Sequence, residues 1–277
     1  MPNSVALRTR FWSARTVNRP AVLAAFDDQV RRRPEGPGVR VERDDDVIRV
    51  QPAGADGWAG VTWSDLDDTN ADAVIAAQVA RFGPREWEWK HYSYDQPADL
   101  PERLLQAGFR AEPAETLLVA EIAELDLDGP TPAGVTLADV VDQRGVDDLV
   151  AVHEVVFGGD RSALGRTLLA AVQQQPVSTL AVVAYAEGRP ISSGRLELYR
   201  GTDFAGLWGG GTEPAWRGRG VFRALVAHRA RAAAAQGFRF LQVDASADSR
   251  PILNRLGFVE LATTTPFVHA RRTRTHG

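Results

Sequence analysis

The strongest chemical signal in the chain is Trp216-Arg217-Gly218-Arg219-Gly220-Val221-Phe222. It follows three glycines, Gly209 to Gly211, and the tripeptide Thr212-Glu213-Pro214, and it opens an amphipathic segment from Val221 to about Gln236. The order is apolar strand, proline break, basic Gly-rich loop, helix start. A helix start leaves backbone N–H groups unpaired and carries a partial positive charge. Glycines let that backbone adopt φ > 0 and approach a ligand closely, while Arg217 and Arg219 add full positive charge. The chemistry implied is the grip of a phosphate or pyrophosphate.

Two familiar phosphate loops fail here. A Walker A loop needs Gly-Lys-Ser/Thr after the turn, and the chain has no such tripeptide. A dinucleotide fingerprint needs G-x-G-x-x-G, and Gly218-Arg219-Gly220-Val221-Phe222-Arg223 ends in arginine.

Around this loop the pattern is of strands and helices in alternation. Arg19-Pro20 starts a helix with Val22, Leu23, Phe26 and Val30 in period, closed by Arg31-Arg32-Arg33, a triplet the helix dipole favours at that end. Val39 and Val41, then Val47 and Ile48, predict a hairpin turning at Asp44-Asp45-Asp46, with a third strand from Trp58 to Trp63. The Asp run lacks calcium-loop spacing and reads as a solvated turn. A helix from Asn70 to Phe82, a strand in EWEWKHYSYD, a helix capped by Gly108, and strands at 109–111 and 116–120 complete the first half. An acidic and then Gly/Pro-rich linker from Glu121 to Gly134 places the division between 1–127 and 128–277. The second half runs strand, helix 143–157, a helix N-capped by Asp160, three antiparallel strands, the loop and its helix, strand RFLQVDAS, a short helix ended by Gly257, and two closing strands, VEL and TPFVHAR.

The halves repeat. LPERLLQAGFRAE resembles SRPILNRLGFVEL, with their Gly-Phe pairs 149 residues apart, and the flanking elements recur in order. At the loop the halves diverge. The first carries VTWSDLDDTNADAV, acids in place of glycines and arginines, and would repel a polyphosphate.

TEPAWRGRGVFRALVAHRARAAAAQG resembles motif A of the GNAT acyltransferase superfamily, [QR]-x-x-G-x-[GA]. Arg217 and Gly220 match, and Phe222 stands where the family has Gly or Ala. LNRLGF resembles the family's closing "LYEKLGF" type motif. The resemblance implies an α+β fold of two tandem GNAT-like domains, each a mixed, mostly antiparallel central sheet flanked by helices, the first degenerate. It implies acetyl-CoA or another acyl-CoA as donor, its pyrophosphate on the N–H groups of Arg217, Gly218, Arg219, Gly220, Val221 and Phe222. It also implies a bulged strand splayed from its neighbour, along which pantetheine lies like an added strand beside Gly211-Thr212-Glu213. The thioester oxygen then accepts an N–H near Thr212. The Phe222 ring must turn into the core, turn away, or narrow the pocket. Ser246 and Ser249 stand where the family often has an Asn near the pantetheine; helix capping is the other reading of Ser249.

The expected chemistry is attack of an amine on the thioester, which needs a base for the ammonium and an acid for the thiolate. The family's acid, a Tyr four residues before the Gly of "LGF", is here Leu253. Water would then protonate the thiolate, or the domain is non-catalytic. Glu213 is the base placed beside the acyl end. Glu197, whose side chain alternates away from Leu196 and Leu198, is a second candidate, while Asp244, His153 and Trp208 have capping or packing as the plainer reading.

The balance of the chain bounds these readings. It has 277 residues, 44% apolar and 25% charged, with formal net charge −4, no cysteine and five histidines. That is a globular composition without the basic excess of a nucleic-acid binder, and it supplies no thiolate or histidine cluster for a metal. No apolar run approaches membrane-spanning length, the N-terminus lacks a signal peptide's apolar core, and the expected location is cytoplasmic. The basic tail Arg271-Arg272-Thr273-Arg274 reads as a solvated terminus. The function expected is an N-acetyltransferase acting on a primary amine of a small molecule or peptide, as monomer or homodimer. The alternative is a non-catalytic acyl-CoA-binding sensor or scaffold.

Overall fold

The computed structural model describes residues 18–35, 38–54 and 57–269. The polar lead-in up to residue 17 and the basic tail 271–274 lie outside the described residues.

In the first half, α1 (Arg19–Phe26) continues into a π-helical turn at Asp27–Arg31. Then come β1 (Val39–Arg43), β2 (Val47–Pro52), β3 (Gly60–Ser64), α2 (Ala71–Phe82), β4 (Trp87–Tyr92), α3 (Leu100–Gln106), β5 (Arg110–Ala111) and β6 (Glu115–Glu121). The second half runs β7 (Val135–Asp139), α4 (Gln143–Phe157), α5 (Ser162–Gln173), β8 (Thr179–Ala186), β9 (Arg189–Leu198) and β10 (Phe204–Thr212). It ends with α6 (Val221–Ala235), β11 (Phe240–Ala245), α7 (Arg250–Leu256) and β12 (Val259–His269). Asp160, the expected N-cap, sits one residue before the observed cap position at Arg161, and its carboxylate still accepts the Ser162 N–H at 2.8 Å.

The twelve strands of the described residues share one mostly antiparallel sheet in the order β1-β2-β3-β4-β12-β6-β11-β10-β9-β8-β7, with β5 on β12. The order is nearly palindromic about β12 and β6, which is the repeat made visible. Trp87 stands opposite His269 as Phe240 stands opposite Glu121, and Tyr92 faces Thr264 as Ala245 faces Thr116. The first half's β4 therefore pairs with β12, the last strand of the second half, and the second half's β11 pairs with β6, the last strand of the first. The closing strand is one 11-residue element with a register shift between Glu260 and Ala262, instead of the two expected strands. It pairs with β4 over Thr264–His269 on one edge, and with β6 over Val259–Thr264 and β5 at Phe267–Val268 on the other.

Alternation along each strand sorts the side chains onto two faces. On one face α6 and α7 pack on Leu118, Leu196, Leu198, Leu207 and Leu241. There too Trp87, Trp89 and Phe267 meet α2 and α3. Full burial of such a side chain contributes roughly 1.5–3 kcal/mol. On the other face α1 covers the centre, packing Val22 and Phe26 against Tyr92, Leu117, Val119, Phe204 and Phe240. Beyond it α4 and α5 cover β8.

Arg31 departs from expectation. It is not a solvated helix-end cation; only 3% of it is exposed. Its guanidinium lies over the Tyr92 ring at 3.9 Å and donates to Thr62 O (3.1 Å), Asp27 (3.1 Å) and Asp95 (3.0 Å). Thr62 is the extra residue in the β2–β3 ladder, between the pairs Ile48–Trp63 and Arg49–Val61. It also lies just past Val61, the last β3 residue paired with β4. The first half thus keeps a bulge and a strand separation, and Arg31 seals them. Arg31→Met strands two carboxylates inside, so we expect it to lower stability by about 3–5 kcal/mol, read as a fall in the denaturation midpoint.

Candidate active site

In the second half the corresponding separation is not sealed by an ion pair. β10 and β11 run parallel for three residue pairs, ending at Gly206–Gln242. Past that point β10 continues to Thr212 paired only with β9. Its edge from Leu207 onward therefore lines a slot beside β11. On the β9 side the register shifts between Trp208 and Gly211, so a bulge sits at Gly209–Gly210. Gly209 has φ +55°, a region costly for other residues. A Cβ there would stand 2.6 Å from His153, and one at Gly211 would stand 2.8 Å from Val156. At Gly210, on the opposite face, it would stand 3.1 Å from the Phe222 ring. The glycine run lets a strand pass between α4 and α6 with no room for side chains. Thr212 is buried, and Ser192 Oγ donates to Gly211 O at 2.6 Å, so the Thr212 hydroxyl donates to Ser192 across 2.7 Å.

At the slot's mouth the chain turns through Pro214–Trp216 into the basic loop. Gly218 (φ +73°) and Gly220 (φ +82°) are both left-handed, and Gly220 is the N-cap residue of α6 with no side chain bonded there. No acid occupies the first turn. That leaves a 15-residue helix presenting N–H donors outward. Val221 anchors the turn in the core. Phe222 takes the first of its three expected courses, with its ring turned inward against the α6 core. Arg219 stays at the surface, its guanidinium 4.8 Å from the Trp216 ring centroid. Arg217 points back and donates to Thr212 O at 3.1 Å, so it shapes the loop. The stretch read as a linker forms one wall: Arg223 bonds Asp126 at 3.0 Å, Arg231 donates to Leu127 O, and a Cβ at Gly220 would lie 3.6 Å from Pro132.

Across the slot, at the end of β11, Ser246 and Ser249 stand with hydroxyls 3.2 Å apart. Ser249 occupies the N-cap position of α7 but makes no capping bond. Glu213 lies at the mouth, its carboxylate 2.8 Å from Arg189 Nη1. Leu253 is buried in the α6–α7 core, on the far face from the polar groups described next.

Those groups gather on the α1–α4 face, where the slot closes. Glu197 on β9, Tyr199 just past its end, Trp208 on β10, and Gln242 and Asp244 on β11 stand side by side. The Tyr199 hydroxyl accepts from Trp208 Nε1 and from Gln242 Nε2, each at 3.0 Å. Both lone pairs are used, which leaves its proton to be given outward. It lies over Gly206, where a Cβ would meet it at 2.3 Å. Burial raises the Tyr199 pKa, with the Glu197 charge adding to it. Burial also raises the Glu197 carboxyl, against the pull of Arg195. Asp244 Oδ2 is 2.8 Å from Lys90 of the first half, and its Oδ1 is buried without a partner. Tyr199 was missed by sequence reasoning; its place two residues after Glu197, continuing the alternation past the end of β9, was the available signal.

His153, read as a core histidine, is buried on α4 with Nε2 2.9 Å from Gly209 O. Burial, then Arg195, push its pKa down to about 4, from 6.5 in the unfolded chain. Between those values the unfolded state binds a proton that the folded state refuses. Its stabilising contribution is therefore full above pH 6.5 and lost as pH falls toward 4. We expect the melting temperature to drop from about pH 7 to about pH 5, and His153→Phe to shrink that drop.

The described residues hold no cluster fit for a metal ion and no helix long and apolar enough to cross a membrane. Residues 163–258 match the model of the Acetyltransferase (GNAT) family. No curated protein matches the chain. Among solved structures, a GCN5-related N-acetyltransferase from Kribbella flavida is similar at 19% identity and TM-score 0.65, over 91% of this chain and 95% of that one. A tandem GNAT protein from the clavulanic acid biosynthesis pathway gives 14% identity and TM-score 0.56, over 84% of each chain. A GCN5-related N-acetyltransferase from Sphaerobacter thermophilus gives 12% and 0.57, over 84% and 82%. The fold is thus the GNAT fold in tandem, and the match to the family model lies in the second half.

Proposed function

We propose that the protein is an N-acetyltransferase that moves an acetyl group from acetyl-CoA to a primary amine of a small molecule or peptide. The observation that carries this reading is the slot between β10 and β11, with an uncapped helix start at its mouth and a half-buried carboxylate and a phenol at its closed end. The GNAT family domain over 163–258 supports it. A donor whose pyrophosphate rests on the N–H groups from Arg217 to Phe222 extends inward along the free edge of β10. From Thr212 to Gly206 that edge is roughly 20 Å long. The acyl end then lies among Trp208, Tyr199 and Glu197, far from Glu213.

Chemistry follows from those side chains. Glu197, half-buried and without a hydrogen-bond partner among the described residues, takes a proton from the acceptor's ammonium. Its raised pKa makes it a better base than a solvated carboxylate. The freed amine attacks the thioester carbon, and the C–S bond breaks as the tetrahedral intermediate collapses. Tyr199 donates its outward proton to the leaving thiolate and regains the second proton that the amide nitrogen sheds on collapse, while Glu197 releases its own proton to solvent. Lys90, reaching Asp244 from the first half, makes the acceptor floor a joint product of both halves. The test is thiol release from acetyl-CoA across a panel of amines. Release with at least one amine supports the reading. Coenzyme A binding without release for any of them favours the non-catalytic sensor, for which buried Leu253 at the family's acid position speaks.

A further inference from the structure

We propose that His153 is a positioning residue that sets the orientation of the Gly209–Gly210 peptide in the strand along which the donor lies. The proposal rests on the slot assignment above. A carbonyl can only accept, so His153 Nε2 carries its hydrogen and donates it to Gly209 O at 2.9 Å. The imidazole is packed edge-on against Phe157, with ring centroids 5.1 Å apart. Its low pKa keeps it neutral in the working range, so the donor is present without a charge beside the acyl end. In a trans peptide the C=O of Gly209 and the N–H of Gly210 point in opposite directions. Fixing one aims the other.

From the other face Arg229 presses on the same place. This residue of α6 is 2% exposed and has no carboxylate within ion-pair distance among the described residues. It donates to Arg195 O at 3.0 Å, and Arg195 is the partner of Trp208 at the bulge's edge. Its Nη2 would stand 3.4 Å from a Cβ on Gly210. Imidazole on one side and guanidinium on the other leave the bulge one conformation.

The first half supports the idea independently. Its bulge, at Thr62, has its carbonyl held by Arg31 at 3.1 Å, again from a helical element on the α1–α4 face. The two halves share the device of a helix side chain grasping the bulge carbonyl. They differ in that Arg31 is locked to Asp27 and Asp95 and seals its site, while His153 is neutral and leaves the strand edge open.

The test compares full-length His153→Phe, which keeps ring volume, with His153→Gln, which restores an N–H donor. In ligand-free protein, amide hydrogen exchange over 207–212 should speed about tenfold in the Phe variant, the worth of one hydrogen bond, and return toward wild type in the Gln variant. Under saturating acetyl-CoA, kcat should fall about tenfold or more while the Kd for coenzyme A, held by the distant loop, stays within about twofold. Unchanged exchange at 207–212, or exchange accelerated evenly across the whole sheet, overturns the proposal. So does a loss of coenzyme A affinity in step with kcat. The exchange measurement needs no donor and no acceptor. If wild type releases thiol with no amine, it still decides the role of His153, and the failure belongs to the functional reading.

Discussion

Gly220→Val abolishes coenzyme A binding and leaves the protein folded: this is the larger of the two strongest effects expected. Gly220 sits at φ +82° as the N-cap residue of α6. A β-branched residue there costs on the order of 1–3 kcal/mol in backbone strain. The surroundings offer space, since the nearest atom to a Cβ is Pro132 Cγ at an ordinary 3.6 Å. The variant's damage is therefore conformational and local. Relief of the strain rotates the peptides flanking Val221, and with them the N–H groups that would converge on a pyrophosphate. By titration calorimetry the Kd for coenzyme A should rise at least about a hundredfold, equivalent to about 2.7 kcal/mol. The melting temperature should fall by only several degrees. Unchanged affinity would remove the loop from the donor site.

The second large effect concerns rate. Glu197→Gln keeps the shape of the floor and removes the proton acceptor. We expect kcat to fall by about 10²–10⁴, the usual share of a general base, with the Kd for coenzyme A unaltered. The pH profile supplies the signature. Burial raises the Glu197 pKa, so wild-type kcat/KM should climb as pH rises through a value above the ordinary carboxyl range, where the base becomes ionised. The variant should lack that limb. A variant that keeps both rate and limb would contradict the role of Glu197.

How much of this could be read in advance depends on how local each feature is. The loop was legible because its signal is contiguous: proline, glycines and arginines at a helix start need no distant partner to be recognised. Phe222 was legible as a departure, though only the packing of α6 on β10 decided that its ring turns inward. The repeat was legible in LPERLLQAGF and LNRLGF, and the two-fold register around β6 and β12 is its physical expression. The exchange of those strands was not. Nothing in VEL or TPFVHAR distinguishes a strand paired within its own half from one paired across the boundary. Arg31 illustrates the same limit. Three consecutive arginines before a proline look solvated until Asp95 and Thr62 O are seen beside one of them. Glu213 was legible as the carboxylate beside the loop, while its ion pair with Arg189 on β9 was not. Glu197 was legible through alternation with Leu196 and Leu198. Its value as a base emerged only when Tyr199, Trp208 and Gln242 were found on the same face at the point where β10 and β11 part.

A crystal structure with coenzyme A bound tests the central assignment most directly. The expected result is pyrophosphate density within hydrogen-bond distance of the N–H groups between Arg217 and Phe222. The pantetheine should follow the free edge of β10 from Thr212 toward Gly206, with the sulfur near Tyr199. Coenzyme A lying between β3 and β4, or away from both strand separations, would contradict it.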